Sequence, residues 1–508
     1  MGSGQLLYGS QLSGKAGVLD MANLSRRDTI AAAGASTLAL SIRPTGARAN
    51  EAADVVVLGA GLSGLNAALL LEEQGLRVIV VEGRTRPGGR LHTFDDVPGK
   101  PDGGGSGIGR GYARLVDTAQ KLGVPLDPQR ARTELARDDS LIAIQGQLIR
   151  PEAWATHNLN PYVGEDRSTM PWLMAFQALR ATNPLPEAAA WRDPAYASSD
   201  ISVANYLTAK GWTPAQIQLA FATNPSYGNS GQDLTALMWF HIFKNAELMA
   251  GTGGGAMAAR GGNQRIPEAM ARAVKGEIHY GKTAVRVSGT DNDASVITSD
   301  GSVFTGKAVV CALPFSAARL VRFDPAPPML QQDAIDTLAY NKVHQIHFVP
   351  TRKFWESDGL PPSMWSDGIA ARFIGLRYGA VAPNAAPNTK PQITTFLSFA
   401  NGFMADRRDR LGAAGATAAV LDELARIRPS TRGALRVVKV HSWGADPFAG
   451  GAYACWQPGQ ITRYANELSK PHGRVFFAGE HTAAIARGME GAMESGERAA
   501  LEVLEVVG

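Results

Sequence analysis

"ADVVVLGAGLSGLNAALLLEEQGLRVIVVEGR", residues 53–84, carries the reading that decides the fold. It opens as an apolar strand, turns through Gly59-Ala60-Gly61-Leu62-Ser63-Gly64, continues as an amphipathic helix, and closes as a second apolar strand ending at Glu82. The glycines have separate duties. Gly59 permits a tight turn, Gly61 lets the backbone approach a pyrophosphate, and Gly64 lets helix and strand pack closely. The helix N-terminus beside Ser63 attracts phosphate charge. Glu82, about 20 residues further on, is placed to accept from a ribose hydroxyl. A GxGxxG turn alone is a weak signal, and a purely structural glycine turn leaves the acid without a purpose. Strand, turn, helix, strand and acid together point to a dinucleotide site in an α/β domain.

The rest of the chain bounds what such a site can belong to. At 508 residues and 45% hydrophobic content, the chain can bury a large core and divide into two or three domains. A formal charge of +4 gives no nucleic-acid footprint. Two cysteines, Cys311 and Cys455, are too few for a disulfide framework or a zinc cluster. No stretch beyond the N-terminus reaches the length of a membrane span.

The N-terminus has its own layout. "LSRRDTIAAAGASTLALSIRPTGARAN", residues 24–50, pairs Arg26 with Arg27, follows with a small apolar run from Ile30 to Ile42, and exits through Ala47-Arg48-Ala49. Residues 21–49 are therefore expected to be a twin-arginine signal peptide, with Thr29 standing where such signals carry a large apolar residue. Residues 1–20 read as a vector or upstream extension. Cleavage after Ala49 removes five basic and two acidic side chains, so the mature charge falls from +4 to +1. The route carries folded proteins to the periplasm or outside, which suits a protein whose cofactor is inserted during folding.

Directly after Glu82 comes "GRTRPGGRLHTF", residues 83–94, whose Gly88-Gly89-Arg90 step resembles the second phosphate-contacting motif of the flavin-dependent amine oxidase family, which includes monoamine, putrescine and L-amino-acid oxidases. The resemblance continues through "PDGGGSGIGRGYARLVDTAQKLGV" (101–124), "ARGGNQRIPEAMARAV" (259–274), "KAVVCALP" (307–314) and "GRVFFAGEHTAAIARGMEGAMESGERAALEVL" (473–504). It implies a Rossmann-like, glutathione reductase-like FAD-binding domain from residues 50–124, 250–311 and 441–508. It also implies a discontinuous α+β substrate-binding domain from 125–249 and 312–440. The implied cofactor is FAD, held by Gly59, Gly61, Ser63, Gly64, Glu82, Gly83, Arg84, Gly89, Arg90, Gly105, Ser106, Val285, Gly479, Glu480, Gly488 and Met489. Glu480 would lie near the pyrophosphate, and the Met489 backbone near the flavin at a helix N-terminus that favours a reduced, anionic flavin. The aromatic run Trp239, Phe240 and Phe243 reads as core.

"NKVHQIHFVPTRKFW", residues 341–355, gathers Lys342, His344, Gln345 and His347 on a stretch whose Val343, Ile346, Phe348 and Val349 mark a strand. Side chains alternate faces, so Lys342 and His344 share one and Gln345 and His347 the other, and the two histidines cannot share a metal. In the resembling family a lysine nine residues before a Phe-Trp pair is held through water to the flavin. Counting back from Phe354 gives Gln345. The lysine is replaced in this register, while an insertion would let Lys342 or His344 take the role. The replacement puts fast use of oxygen in question.

The pocket departs as well. "GGAYACWQPG", residues 450–459, places Ala452 where some members of the family tether FAD through a cysteine, so FAD is expected to be non-covalent and Cys455 a buried thiol. Tyr453 matches one wall of the aromatic sandwich that orients the amine. The opposite wall is Gly488, and Gly107 also stands where an aromatic is common, so the pocket has room. Gln345, Tyr453 and Gly488 are the expected catalytic-site residues. A buried carboxylate needs a bidentate arginine. The position where L-amino-acid oxidases place one is Gly107, with Arg110 three residues later, which favours an amine over an α-amino acid.

The expected protein is thus an exported FAD-dependent amine oxidase that acts on a bulky or long primary or secondary amine, releasing hydrogen peroxide if oxygen is the acceptor. The alternatives are an L-amino-acid oxidase, an amine dehydrogenase using a periplasmic electron carrier, a desaturase, and a non-catalytic FAD module. The expected partners are the amine, oxygen or a carrier, and a second copy in a homodimer, with no metal, nucleic acid or stable membrane insertion.

Overall fold

The computed structural model describes residues 53–128, 133–135, 140–223, 230–252, 255–378 and 392–507. The expected extension and signal peptide, residues 1–20 and 21–49, lie outside the described residues.

The quoted stretch folds as read. Val55–Leu58 and Val78–Val81 are parallel neighbours, and they sit in a five-stranded parallel sheet with Ile278–His279, Ala308–Cys311 and Val475–Phe477. Continuous valine runs suit strands covered on both faces. The helix Leu62–Glu73 differs from the amphipathic expectation, because apolar side chains surround most of it. It is held between the sheet and the closing helix Gly488–Val507, and two glycines set that spacing. A Cβ on Gly64 would lie 2.0 Å from the Gly59 carbonyl, and one on Gly496 would lie 2.3 Å from the Ser63 carbonyl. A meander of Ala284–Gly289, Ala294–Thr298 and Val303–Gly306 flanks the sheet. Arg322–Asp324, beyond the expected 311/312 division, adds to it.

The second layer is a larger sheet, ordered Leu435–Ser442, Val343–Pro350, Ile393–Asn401, Arg372–Tyr378, Met364–Ser366, Leu141–Ile144 and Gln147–Ile149. Its outer face is covered by the helix Gly402–Ile427, which breaks at Gly412. Arg408, fully buried on that helix, pins it to the sheet by donating to the Ile369 and Ser398 carbonyls. Beside the sheet, short helices are started by local caps, as where Thr213 and Gln216 form a reciprocal capping box. Trp239, Phe240 and Phe243, on the helix Ala236–Ala250, are buried in the apolar core there. Among the described residues, no helix is long and apolar enough to cross a membrane.

Candidate active site

One cavity of about 670 Å³ is lined by residues of both layers. Its nucleotide end is built largely of backbone. Gly59, Gly61, Ser63, Gly83, Gly89, Gly105 and Ser106 line it. A Cβ on Gly61 would meet no heavy atom within 4 Å, so the first turn faces open space there, while Gly59, Gly89 and Gly105 hold positive φ angles of 105°, 54° and 70°. Gly64 lies behind this surface as a packing residue.

Glu82 sits at the tip of the second strand, 6% exposed. One carboxylate oxygen accepts from the Ala60 N–H and the other from the Arg84 N–H, both at 2.7 Å. Burial pushes its pKa up, against the pull of these two donors. A carboxylate has about four acceptor sites, so two remain for a ligand in the cavity it lines. Arg84 also lines the cavity, tied to Asp446 at 2.7 Å. Arg86, whose pKa burial lowers to about 10, donates to the Gly89 carbonyl at 2.9 Å and so braces the second glycine turn.

Arg90 and Glu480 join the two ends of the sequence at 2.9 Å. Arg90 also donates to the Ala452 carbonyl, and Glu480 accepts from the Ala454 N–H, so this pair ties the 450–459 loop to the nucleotide layer. Burial alone would raise the Glu480 pKa, but the Arg90 guanidinium and neighbouring donors hold it below the usual carboxylate range. Met489 and Gly488 line the cavity at the start of the closing helix, whose N-terminus supplies partial positive charge.

Besides Gly64, two expected cofactor residues fall elsewhere. Val285 sits at the bulge where pairing with the next strand shifts, and its side chain is 40% exposed. It does not line the cavity, whereas Lys282, Thr283 and Ala284 just before it do. Gly479 is also outside the lining. It serves the turn into Glu480 instead, with φ 127°, and its N–H donates to Ser495 Oγ at 2.9 Å.

At the other end, the Val343–Pro350 strand presents its two faces differently. Lys342 just precedes it and is half exposed, pairing with Asp406 at 2.5 Å on the outer helix. His344 is buried on that side, 3.9 Å from Asp409, and burial lowers its pKa to about 4. Gln345 and His347 line the cavity. Gln345 Nε2 donates to the Gly103 carbonyl at 2.8 Å, and its Oε1 meets His347 Nε2 at 3.1 Å. Trp443 Nε1 donates to the same Gly103 carbonyl at 2.8 Å, which fixes the 102–107 loop against the substrate sheet.

Tyr453 lines the cavity, and its hydroxyl accepts from Asn341 Nδ2 at 2.6 Å. Gly488, also in the lining, has φ 57°, and a Cβ there would meet nothing within 4 Å. Gly107 lines the cavity, but Arg110 is exposed and does not. Arg372, which the sequence reading passed over, does: it is 4% exposed and its guanidinium lies 4.2 Å from the Phe399 ring centroid. Neither cysteine reaches the cavity. Both are buried, and burial pushes each thiol up to about 12.

Arg86, Asp446, Trp443, Asn341 and Arg372 were the parts missed. Arg86 carried a signal, since it lies inside the quoted "GRTRPGGR". Asn341 likewise opens the quoted 341–355 stretch, whereas Asp446, Trp443 and Arg372 act across the fold and had none.

Residues 62–504 match the family described as flavin containing amine oxidoreductase. The chain belongs to that family. As a flavin amine oxidoreductase it is an FAD-dependent enzyme that oxidises amines, on a Rossmann-like FAD-binding fold with a second α+β layer. It is 27% identical over 481 residues to the flavin-containing amine oxidase of Danio rerio, covering 90% of this chain and 87% of that one. Against the flavin-containing amine oxidase B of Homo sapiens it is 27% identical over 470 residues, covering 90% and 86%. Among solved structures, cyclohexylamine oxidase from Brevibacterium oxydans superposes with a TM-score of 0.69 at 21% identity, covering 89% of this chain and 99% of that one. A putrescine oxidase variant superposes with a TM-score of 0.67 at 22% identity, with the same coverage. The cavity of this amine oxidoreductase fits FAD: a glycine-lined trough whose Cβ-free faces leave room for a pyrophosphate, a buried carboxylate at Glu82 with acceptor sites to spare, and two helix N-termini for anionic groups.

Proposed function

We propose that this amine oxidase acts on a long or bulky primary or secondary amine, with FAD held non-covalently. The observation that carries the reading is open space at Gly488, the position expected to face Tyr453, in a cavity that Tyr453 and Gly107 also line. The face of the Tyr453 ring favours an electron-rich nitrogen, and Asn341 fixes the ring through its hydroxyl. FAD held in this cavity would supply the acceptor for a hydride equivalent, two electrons and one proton, from the carbon bearing the nitrogen, while the N–H proton leaves to water as the C=N bond forms. Water then hydrolyses the resulting imine to a carbonyl and a free amine or ammonia. The protein's part is to orient the neutral amine between Tyr453 and the flavin side and to exclude water from the apolar sheet face of Ile374, Leu376 and Leu397. Gln345 stands where the family's lysine is expected, on the flavin side. When oxygen accepts the electrons, two electrons and two protons convert it to hydrogen peroxide; a periplasmic carrier is the alternative acceptor.

Non-covalent binding is supported by Ala452 in the lining and by the absence of both buried cysteines from it. Export to the periplasm or outside through the twin-arginine route is part of the same proposal, supported by Arg26-Arg27 and Ala47-Arg48-Ala49. A second reading, an amine that also carries a carboxylate, is favoured by Arg372 in the cavity, although Arg110 contributes nothing there.

One anaerobic titration series tests these readings. Bleaching of the flavin by long or bulky amines ahead of benzylamine supports the first. Bleaching led by α-amino acids transfers the assignment to an L-amino-acid oxidase, and no bleaching by either class removes both. Admission of oxygen with a peroxide assay then identifies the acceptor.

A further inference from the structure

We propose that His347 is a positioning residue that clamps the Gln345 amide so that an N–H donor, and not a carbonyl, faces the flavin side of the cavity. This rests on the reading that Gln345 faces the flavin.

The argument is a count of donors and acceptors. The Gly103 carbonyl can only accept, so the Gln345 atom 2.8 Å from it is the amide nitrogen. The oxygen must then be the end that meets His347 Nε2 at 3.1 Å. An amide oxygen only accepts, so His347 carries a proton on Nε2. His347 is 1% exposed, and burial lowers its pKa to about 3, so the ring is neutral and holds only that proton. Nδ1 is buried with no hydrogen-bond partner, which a bare ring nitrogen tolerates better than an N–H would. The rings of His347 and Phe94 pack in a T-shape at a centroid distance of 5.4 Å, so the imidazole has little freedom to turn.

The amide is therefore held at both ends. Its oxygen is occupied by His347 and one amide hydrogen by Gly103, whose carbonyl is also filled by Trp443. One amide hydrogen and one oxygen lone pair remain on a side chain that lines the cavity, and with the oxygen drawn toward His347 the amide hydrogen is the donor left to offer. Such a donor stabilises the electron-rich reduced flavin more than the oxidised one, because an oriented dipole in a dry site acts on the charge that develops. Without His347 the oxygen loses its partner, and the amide can rotate away or offer its carbonyl.

The test uses the full FAD-loaded protein and reads the midpoint potential of the bound flavin by dye equilibration, with flavin content as a control for folding. His347→Gln places an amide N–H the same number of bonds from Cβ as imidazole Nε2, and is expected to keep the wild-type potential. His347→Asn, too short to reach, and His347→Leu, without a donor, are expected to shift the oxidised-to-reduced equilibrium about tenfold toward oxidised, or about 30 mV for a two-electron couple. Wild-type potentials in the Asn and Leu variants, or an equal shift in the Gln variant, overturn the proposal. Gln345→Ala separates the two levels. If it shifts the potential while the His347 variants do not, the clamp fails and the flavin-facing reading stands; if Gln345→Ala also leaves the potential unchanged, that reading fails with it. Should His347→Leu lose its flavin, the contrast between the Gln and Asn variants decides.

Discussion

Gln345 donates to the carbonyl of Gly103, 242 residues away in the chain, at 2.8 Å, and so joins the substrate sheet to the loop that lines the nucleotide end. Three residues earlier, Lys342 points the other way, to Asp406 at 2.5 Å. The strand therefore offers the cavity an uncharged amide, and the ammonium just before it stays outside.

That division yields the first prediction. A cation near the flavin stabilises the negative charge that develops as oxygen begins to accept electrons. Gln345→Lys should raise the rate of reoxidation by oxygen about tenfold or more, with a smaller effect on anaerobic reduction by amine. Lys342→Ala should leave reoxidation unchanged. Stopped-flow traces showing no gain in the first variant, or a loss in the second, would place the wrong face of the strand against the flavin.

Glu82 holds the turn through the Ala60 and Arg84 amides, and its remaining acceptor sites are expected to take the ribose. Charge-assisted hydrogen bonds of this kind contribute about 1.5–3 kcal/mol each. Glu82→Ala should weaken FAD retention about tenfold or more and should also loosen the Ala60 and Arg84 amides. Flavin content after gel filtration measures it, and a variant as yellow as the parent would exclude the ribose contact.

Because Ala452 stands at the tethering position and neither thiol lines the cavity, acid or heat denaturation should leave the flavin in the supernatant. Colour kept in the washed pellet would show a covalent link.

Gly488 has room for a side chain but a backbone that resists one. At φ 57° an L residue costs roughly 1–2 kcal/mol, Asn less than most. Gly488→Tyr should lower the melting temperature and shift preference toward smaller amines by rebuilding the missing wall, whereas Gly488→Asn should lower it less and leave more room. Amine rankings identical in all three proteins would remove Gly488 from the substrate pocket.

Acid should destabilise the fold through its buried histidines. His241, His347 and His481 are each held near pKa 3 by burial, whereas in the unfolded chain a histidine takes up its proton at about 6.5. The unfolded state therefore binds more protons in that window. Stability is fully present above about pH 6.5 and falls as pH drops toward 3, by up to about 1.4 kcal/mol per pH unit for each group. Melting temperature followed from pH 8 to 4 should decline below about 6.5, with a shallower slope in His241→Gln. A flat profile between pH 7 and 5 would contradict the burial of these neutral rings.

The first strand, its turn, Glu82 and the order of the glycine segments were legible because they are local. Periodicity selects strand or helix within a dozen residues, and a turn that needs positive φ, such as that at Gly59, selects glycine. The facing of Lys342 and Gln345 was legible for a similar reason, since alternation along a strand is a property of the backbone. The helix Leu62–Glu73 was read as amphipathic and is not, because what covers its second side is the closing helix more than 400 residues later, brought against Asn66 at 2.8 Å from the Met493 carbonyl.

Neighbouring sequence, then, was enough to write the nucleotide turn, the apolar strands and the two faces of the Gln345 strand, since each follows from chain geometry over short range. Contacts between distant segments came only from folding. Arg90 meeting Glu480, Trp443 and Gln345 sharing the Gly103 carbonyl, Arg372 turned into the cavity, and Val285 turned out at a bulge all depend on how the two layers dock and on strand register. Those are settled by burial of apolar surface summed over the whole molecule, a quantity that no short window of sequence contains.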